Sequence, residues 1–245
     1  MKMTKGEKAT KRVQTLQNSK RGGYYWVGDK PYISATSAIS VIDKPALRYW
    51  FGTQVYLSYT ADPTLNQKEC LASPWKATKK ATDRGSKVHH LTETPIDDVE
   101  ALDEPEEIKG YLRAYKKWET DFKPEILEVE KTVFSEKYGF AGSLDRIMKV
   151  GDKIVLLDIK TGKDIYDEVY LQLSAYKQAL KEEGYEVEEM APLLLKENGD
   201  YKYAPTSDDF LEPFLNCLGL WKFQNRGDIE KIKTYLKLKK EKNEN

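Results

Sequence analysis

Three stretches of the chain carry the spacing of extended strands, and helical spacing surrounds them. Residues 125–134 read as a strand with Ile126, Val129 and Val133 apolar, and the pleat puts Glu128 and Glu130 on one face. The run Phe-Ala-Gly-Ser-Leu-Asp that follows Tyr138-Gly139 carries Asp145 into a second strand. Val150-Gly151-Asp152-Lys153 reads as a hairpin turn, and residues 154–160 as the third strand. Side chains two apart point the same way, so Asp158 and Lys160 project together and Ile159 faces the other side. The turn brings Asp145 back beside Asp158.

The flanking segments change period. Ile108, Leu112, Tyr115 and Trp118 recur at helical spacing over residues 106–122. Residues 167–183 read as a helix on which Gln172 and Tyr176 share a face, while Leu171, Leu173 and Leu180 supply apolar packing. Upstream, Tyr24 to Val27 and Tyr32-Ile33 flank a hairpin at Gly28-Asp29. Helices are expected over residues 34–42, 46–59 and 78–93, with Pro63 and Pro74 bracketing a variable connection. The rings of Tyr49, Trp50, Phe51, Tyr56 and Tyr59 are expected in the core, the usual place for aromatic side chains. Residues 94–107 are acidic and loop-like; a strand over 185–195, interrupted by Pro192, an edge strand near 201–204, and helices over 208–223 and 228–238 complete the chain.

This order predicts an α/β (α+β) fold, a mixed central sheet flanked by helices with helical additions at both ends. Four regions are expected: a flexible basic arm (1–21), an N-terminal hairpin and helical region (22–83), a core (84–205) and C-terminal helices (206–245).

Composition narrows the function. The 245 residues carry 40 Lys+Arg and 40 Asp+Glu, so no whole-molecule field attracts a polyanion and any nucleic-acid contact must be local. Cys70 and Cys217 are the only cysteines, too few for a disulfide scaffold or a four-cysteine metal site. The basic N-terminus lacks the apolar stretch of a secretory signal and no run approaches membrane-spanning length, so a soluble, cytoplasmic protein without membrane partners is expected.

The candidate chemistry lies on the hairpin. Two carboxylates held close raise each other's pKa or recruit a cation. A hard divalent ion takes a few carboxylates, waters and phosphate oxygens, and a lysine beside it suits phosphodiester hydrolysis. Paired carboxylates also serve glycoside hydrolysis, but that chemistry has no use for the partner lysine. Thr161-Gly162-Lys163 is no phosphate loop, because the upstream glycine of that motif is missing.

Gly142-Ser143-Leu144-Asp145, then Asp158-Ile159-Lys160-Thr161-Gly162, then Gln172 and Tyr176, resemble in order the motifs of the PD-(D/E)xK nuclease superfamily, most of all its RecB-like exonuclease branch. No proline precedes the first aspartate. Arg84-Gly85-Ser86-Lys87-Val88-His89 resembles the motif on the helix before that branch's nuclease core, and picks out His89 rather than His90.

The resemblance implies a restriction-endonuclease-like core and a metal-dependent DNA exonuclease. Its metal, Mg²⁺ or Mn²⁺, would be held by Asp145, Asp158, the Ile159 backbone carbonyl, His89, and Glu130 through a water. The histidine suits Mn²⁺ better. Lys160 would position the attacking water, and Gln172 and Tyr176 would contact the scissile strand or orient Lys160. Lys80, Arg84 and Lys87 would bind DNA, and Tyr24, Trp26 or Trp50 would stack on bases. Linear DNA, single-stranded or with duplex ends, is the implied substrate, with a replication or recombination protein as a possible partner. Some RecB-like nucleases hold an iron–sulfur cluster, which two cysteines cannot build. A non-cleaving recombination accessory protein and a structure-specific endonuclease are the competing readings.

Overall fold

The computed structural model describes residues 23–243; the basic arm expected over 1–21 lies outside them. Seven strands and seven helices follow in the order β1 (Tyr24–Val27), β2 (Lys30–Ser34), α1 (Ala35–Ile39), α2 (Pro45–Ala61), α3 (Gln67–Leu91), α4 (Glu106–Phe122), β3 (Glu125–Ser135), β4 (Phe140–Val150), β5 (Lys153–Lys160), α5 (Asp167–Glu182), β6 (Glu189–Leu195), β7 (Tyr201–Tyr203), α6 (Leu211–Gln224) and α7 (Arg226–Asn243). One sheet contains every strand, in the order β1-β2-β4-β5-β6-β7, with β3 also paired to β4. The β2/β4 and β5/β6 pairs are parallel and the rest antiparallel, so the mixed, helix-flanked sheet expected from the sequence is the one found.

Each face of the sheet buries its own core. On one, α1, α5 and α6 cover Phe140, Leu144, Ile147 and Leu156. On the other, α4 and the end of α3 cover Met148, Leu157 and Ile159, with Tyr115 and Trp118 between them. Strict alternation along β4 would put Leu144 and Met148 on one face, yet they lie in opposite cores. The phase slips at Asp145–Arg146. On β3, the residue across from this slip, Glu130, has φ 48°, a left-handed conformation that costs a non-glycine residue about 1 kcal/mol.

Two expectations fail upstream. Pro74 is not in a connection; it lies inside α3. Asn66 and Glu69 form a reciprocal capping box that starts the helix at Gln67, well before residue 78. Proline leaves the Cys70 carbonyl without its usual amide donor, and the Ser73 hydroxyl donates to it at 2.7 Å instead. The aromatic residues of α2 are not core: none of its residues is buried, and Tyr49, Tyr56 and Tyr59 are exposed. The reason is tertiary, since α2 packs chiefly on α3 and the two form an arm with one shared seam. Tyr24 and Trp26 pack instead against Trp221 and the Ile232 cluster of the C-terminal helices.

Candidate metal centre

The β4–β5 ladder ends at Arg146 opposite Leu157. Beyond it the two strands part, and the Asp145 carboxylate spans the gap: its Oδ2 accepts the Ile159 amide at 2.7 Å. Asp158 and Lys160 project together, as the pleat requires, with Lys160 Nζ 2.6 Å from Asp158 Oδ2.

His89 enters from the last turn of α3, its Nδ1 3.4 Å from Asp145 Oδ2 and 4.0 Å from Glu130 Oε1. One donor atom each from His89, Glu130 and Asp145 lies within 4.8 Å of the others. His90, beside it in sequence, is exposed and meets Glu93. Glu128 and Glu130 do not share a face. Glu128 accepts from the Tyr185 hydroxyl, while the left-handed backbone at Glu130 sends that side chain to the His89 side.

The triad opens on a cleft of about 680 Å³ that Thr82, Ser86, Lys160 and the Ile159 backbone also line. Asp158, expected as a ligand, neither joins the triad nor lines the cleft. It is 1 % exposed, Gln172 Nε2 donates to its Oδ1 at 3.4 Å, and Oδ2 has no aligned hydrogen bond besides its ion pair with Lys160. Gln172 also donates to the Tyr176 hydroxyl at 3.1 Å. Tyr176 is buried under β4, where a Cβ on Gly142 would come within 2.3 Å of its ring, so the glycine of the first motif makes room for the tyrosine of the third. Tyr176 therefore reaches the site through Gln172.

Charge follows from this crowding. Burial, then the Asp158 charge, push the Asp145 carboxyl up to about 8. Burial alone would lower the Lys160 pKa, but Asp158 and Asp145 outweigh it and hold the ammonium above its ordinary value. Burial and the Lys160 charge lower the His89 imidazole, which also hydrogen-bonds the Ile159 backbone. Two carboxylates and a neutral imidazole are a donor set that fits a divalent cation.

The expected DNA-contact residues lie elsewhere. Lys80 and Arg84 pair with Glu107 on α4, and Lys87 with Glu104. Arg84 also donates to the Thr161 carbonyl at 3.2 Å, tying α3 to the loop after Lys160. All three line a separate hollow of about 490 Å³.

Sequence reasoning missed Arg146. Fully buried, it donates to the Asp145 carbonyl at 2.7 Å and the His89 carbonyl at 2.9 Å, and lies 3.6 Å from Glu130. A charge amid Leu144, Ile147 and Met148 in a central strand was the available signal, since buried arginines are almost always paired.

A strand-borne carboxylate pair with its lysine, a glutamate on the preceding strand and a helical histidine thus meet on one mixed sheet. A model of the PD-(D/E)XK nuclease superfamily matches residues 58–217, more than half of the chain, and the protein belongs to that superfamily. Among solved structures, an alkaline exonuclease from Laribacter hongkongensis is 14 % identical, with a TM-score of 0.45, and the match covers 87 % of this chain and 94 % of that one. The same enzyme in complex with dAMP is 13 % identical, with a TM-score of 0.45 and 86 % and 94 % covered. No curated protein matches the sequence. Among the described residues, no helix is long and apolar enough to cross a membrane.

Proposed function

We propose that this chain is a divalent-metal-dependent deoxyribonuclease of the RecB-like exonuclease kind, which hydrolyses linear DNA from its ends. The observation that carries the reading is the meeting of His89, Glu130 and Asp145 within 4.8 Å on the cleft that Lys160 lines. His89 and Asp145 would hold the ion directly and Glu130 through a water, with Asp158 and the Ile159 carbonyl as further oxygen donors. The histidine favours Mn²⁺ over Mg²⁺. When bound, the ion supplies positive charge to the phosphate oxygens and a water of lowered pKa.

The protein's own groups do the rest. Lys160 stays an ammonium, so it donates hydrogen bonds to the attacking water and to the phosphate rather than removing a proton. Gln172 fixes the Asp158 carboxylate, and Asp158 fixes Lys160. Glu130, the most exposed of the donors at 46 %, would accept the water's proton at the mouth of the cleft.

The test compares end-labelled linear and covalently closed single-stranded DNA, incubated with Mn²⁺, with Mg²⁺ and with excess chelator. Linear DNA is degraded, circles stay intact and chelator stops the reaction. Circles cut as fast as linear strands overturn the exonuclease reading. Cleavage that persists in chelator overturns the metal.

A further inference from the structure

We propose that the α2–α3 arm binds single-stranded DNA, with unpaired bases stacked on Trp75 and the backbone led along α3 to the metal centre. The proposal rests on the nuclease reading and adds a substrate class to it.

Trp75 is 64 % exposed, although a tryptophan ring is among the most costly surfaces to leave in water. One edge of the ring is packed. Phe51 meets it edge-on with ring centroids 5.2 Å apart, and Trp50 meets Phe51 in the same way at 5.3 Å. A solvent-facing indole held edge-on by a second ring is a stacking platform, and it takes any base because every base has a π-face.

Helical phase connects this platform to the site. From Trp75 onward α3 contains no proline, and Lys79, Thr82, Ser86 and His89 follow at three- and four-residue steps along one stripe. Thr82, Ser86 and His89 line the cleft, while Lys79, at the edge of the stripe, lines the neighbouring hollow with Lys80 and Arg84. Trp75 thus stands about 21 Å along the helix from His89 on the same face, a span of several nucleotides. The stripe alternates a ring, an ammonium and hydroxyls, which are the groups that meet bases and phosphates in turn.

Charge favours the same ligand. In a chain with no net charge, residues 45–82 carry five basic and two acidic residues. The Lys79–Asp83 pair within the stripe is exposed on both sides, so Lys79 exchanges its carboxylate for a phosphate at little cost. A face built for a second copy of the chain would deplete charge among its apolar residues; here lysines interrupt them. Paired bases hide their π-faces, so the platform selects single strands.

Binding is measured by the anisotropy of a labelled oligo(dT) and a blunt duplex of equal length, with Lys160→Ala as the background so that nothing is cut. Trp75→Ala weakens oligo(dT) binding about tenfold, the scale of one stacked base, and weakens duplex binding less. Trp75→Phe keeps most of the affinity. Unchanged oligo(dT) affinity in Trp75→Ala, or equal losses for both ligands, overturns the proposal. So does a dimer in wild-type sedimentation that Trp75→Ala dissolves without altering oligo(dT) affinity, which makes the arm a self-association face. Hydrolysis of a small phosphodiester reporter by the wild type with Mn²⁺ judges the nuclease reading separately, because that substrate is too short to reach Trp75.

Discussion

Arg146 holds the main-chain carbonyl of His89 at 2.9 Å, from a guanidinium with no exposed surface. The bond joins the central strand to the last turn of α3, where the His89 carbonyl also accepts from the Thr92 hydroxyl at 3.0 Å. The same guanidinium faces Glu130 and the Asp145 carbonyl, so one cation braces the backbone or side chain of all three candidate ligands.

Replacing Arg146 with methionine preserves most of the volume but removes the donor to the Asp145 carbonyl, leaves the His89 carbonyl only its bonds from Thr92 and takes the cation from beside Glu130. We expect a loss of about 2–4 kcal/mol in stability. Because His89 and Glu130 lose their common brace, Mn²⁺ affinity should fall as well. Calorimetric titration checks it: metal affinity equal to wild type would leave Arg146 a purely structural residue.

Lys160→Ala should lower the cleavage rate by ~100-fold or more, the scale of removing one positioned electrostatic group. DNA binding should persist. Loss of binding in step with cleavage, in a folded variant, would make Lys160 a phosphate clamp.

Gly142→Ala tests the contact between the first and third motifs. The added methyl would press into the Tyr176 ring, and overpacking of this kind costs about 1–3 kcal/mol. Since Tyr176 carries Gln172 and Gln172 carries Asp158, activity should fall more than stability alone explains. A melting curve and a rate measured well below the transition separate the two.

Asp145 should cost the metal-free protein stability as pH rises. The Asp145 carboxyl sits at about 8 when folded and near the ordinary carboxylate value when unfolded. The folded state therefore holds more protons in between, and the contribution of this group is full below about pH 4 and lost through about pH 8. Bound metal replaces the proton, so the rise in melting temperature on adding Mn²⁺ should grow over this range. Melting curves of wild type and Asp145→Asn in chelator give the check: the variant should lack this part of the slope.

Much of this was legible in the sequence because local chemistry set it. The hairpin turn, the pleat that unites Asp158 with Lys160, and the four-residue step from Gln172 to Tyr176 are short-range facts. The failures were long-range. Whether the α2 rings are buried depends on what packs over them, and periodicity does not say. The separation of Glu128 from Glu130 depends on a backbone angle that no glycine advertised. Pro74 read as a break because its rescue comes from the hydroxyl of Ser73, one residue away but invisible to a rule about proline alone. Lys80, Arg84 and Lys87 read as a basic face because their acidic partners, Glu104 and Glu107, lie in a segment that reads as an acidic loop leading into the next helix.

The two-residue turn at Gly151-Asp152 begins six residues after Asp145, and Gly151 takes φ 60°. It looks remote from the cleft, yet it fixes the count by which Asp145 arrives opposite the Ile159 amide. Side-chain direction in a strand has period two, so one inserted residue would turn the carboxylate away from that amide while leaving every ligand in the chain. The length of this turn is therefore under the same constraint as the ligands themselves, and variation in it should come only in forms that restore the count.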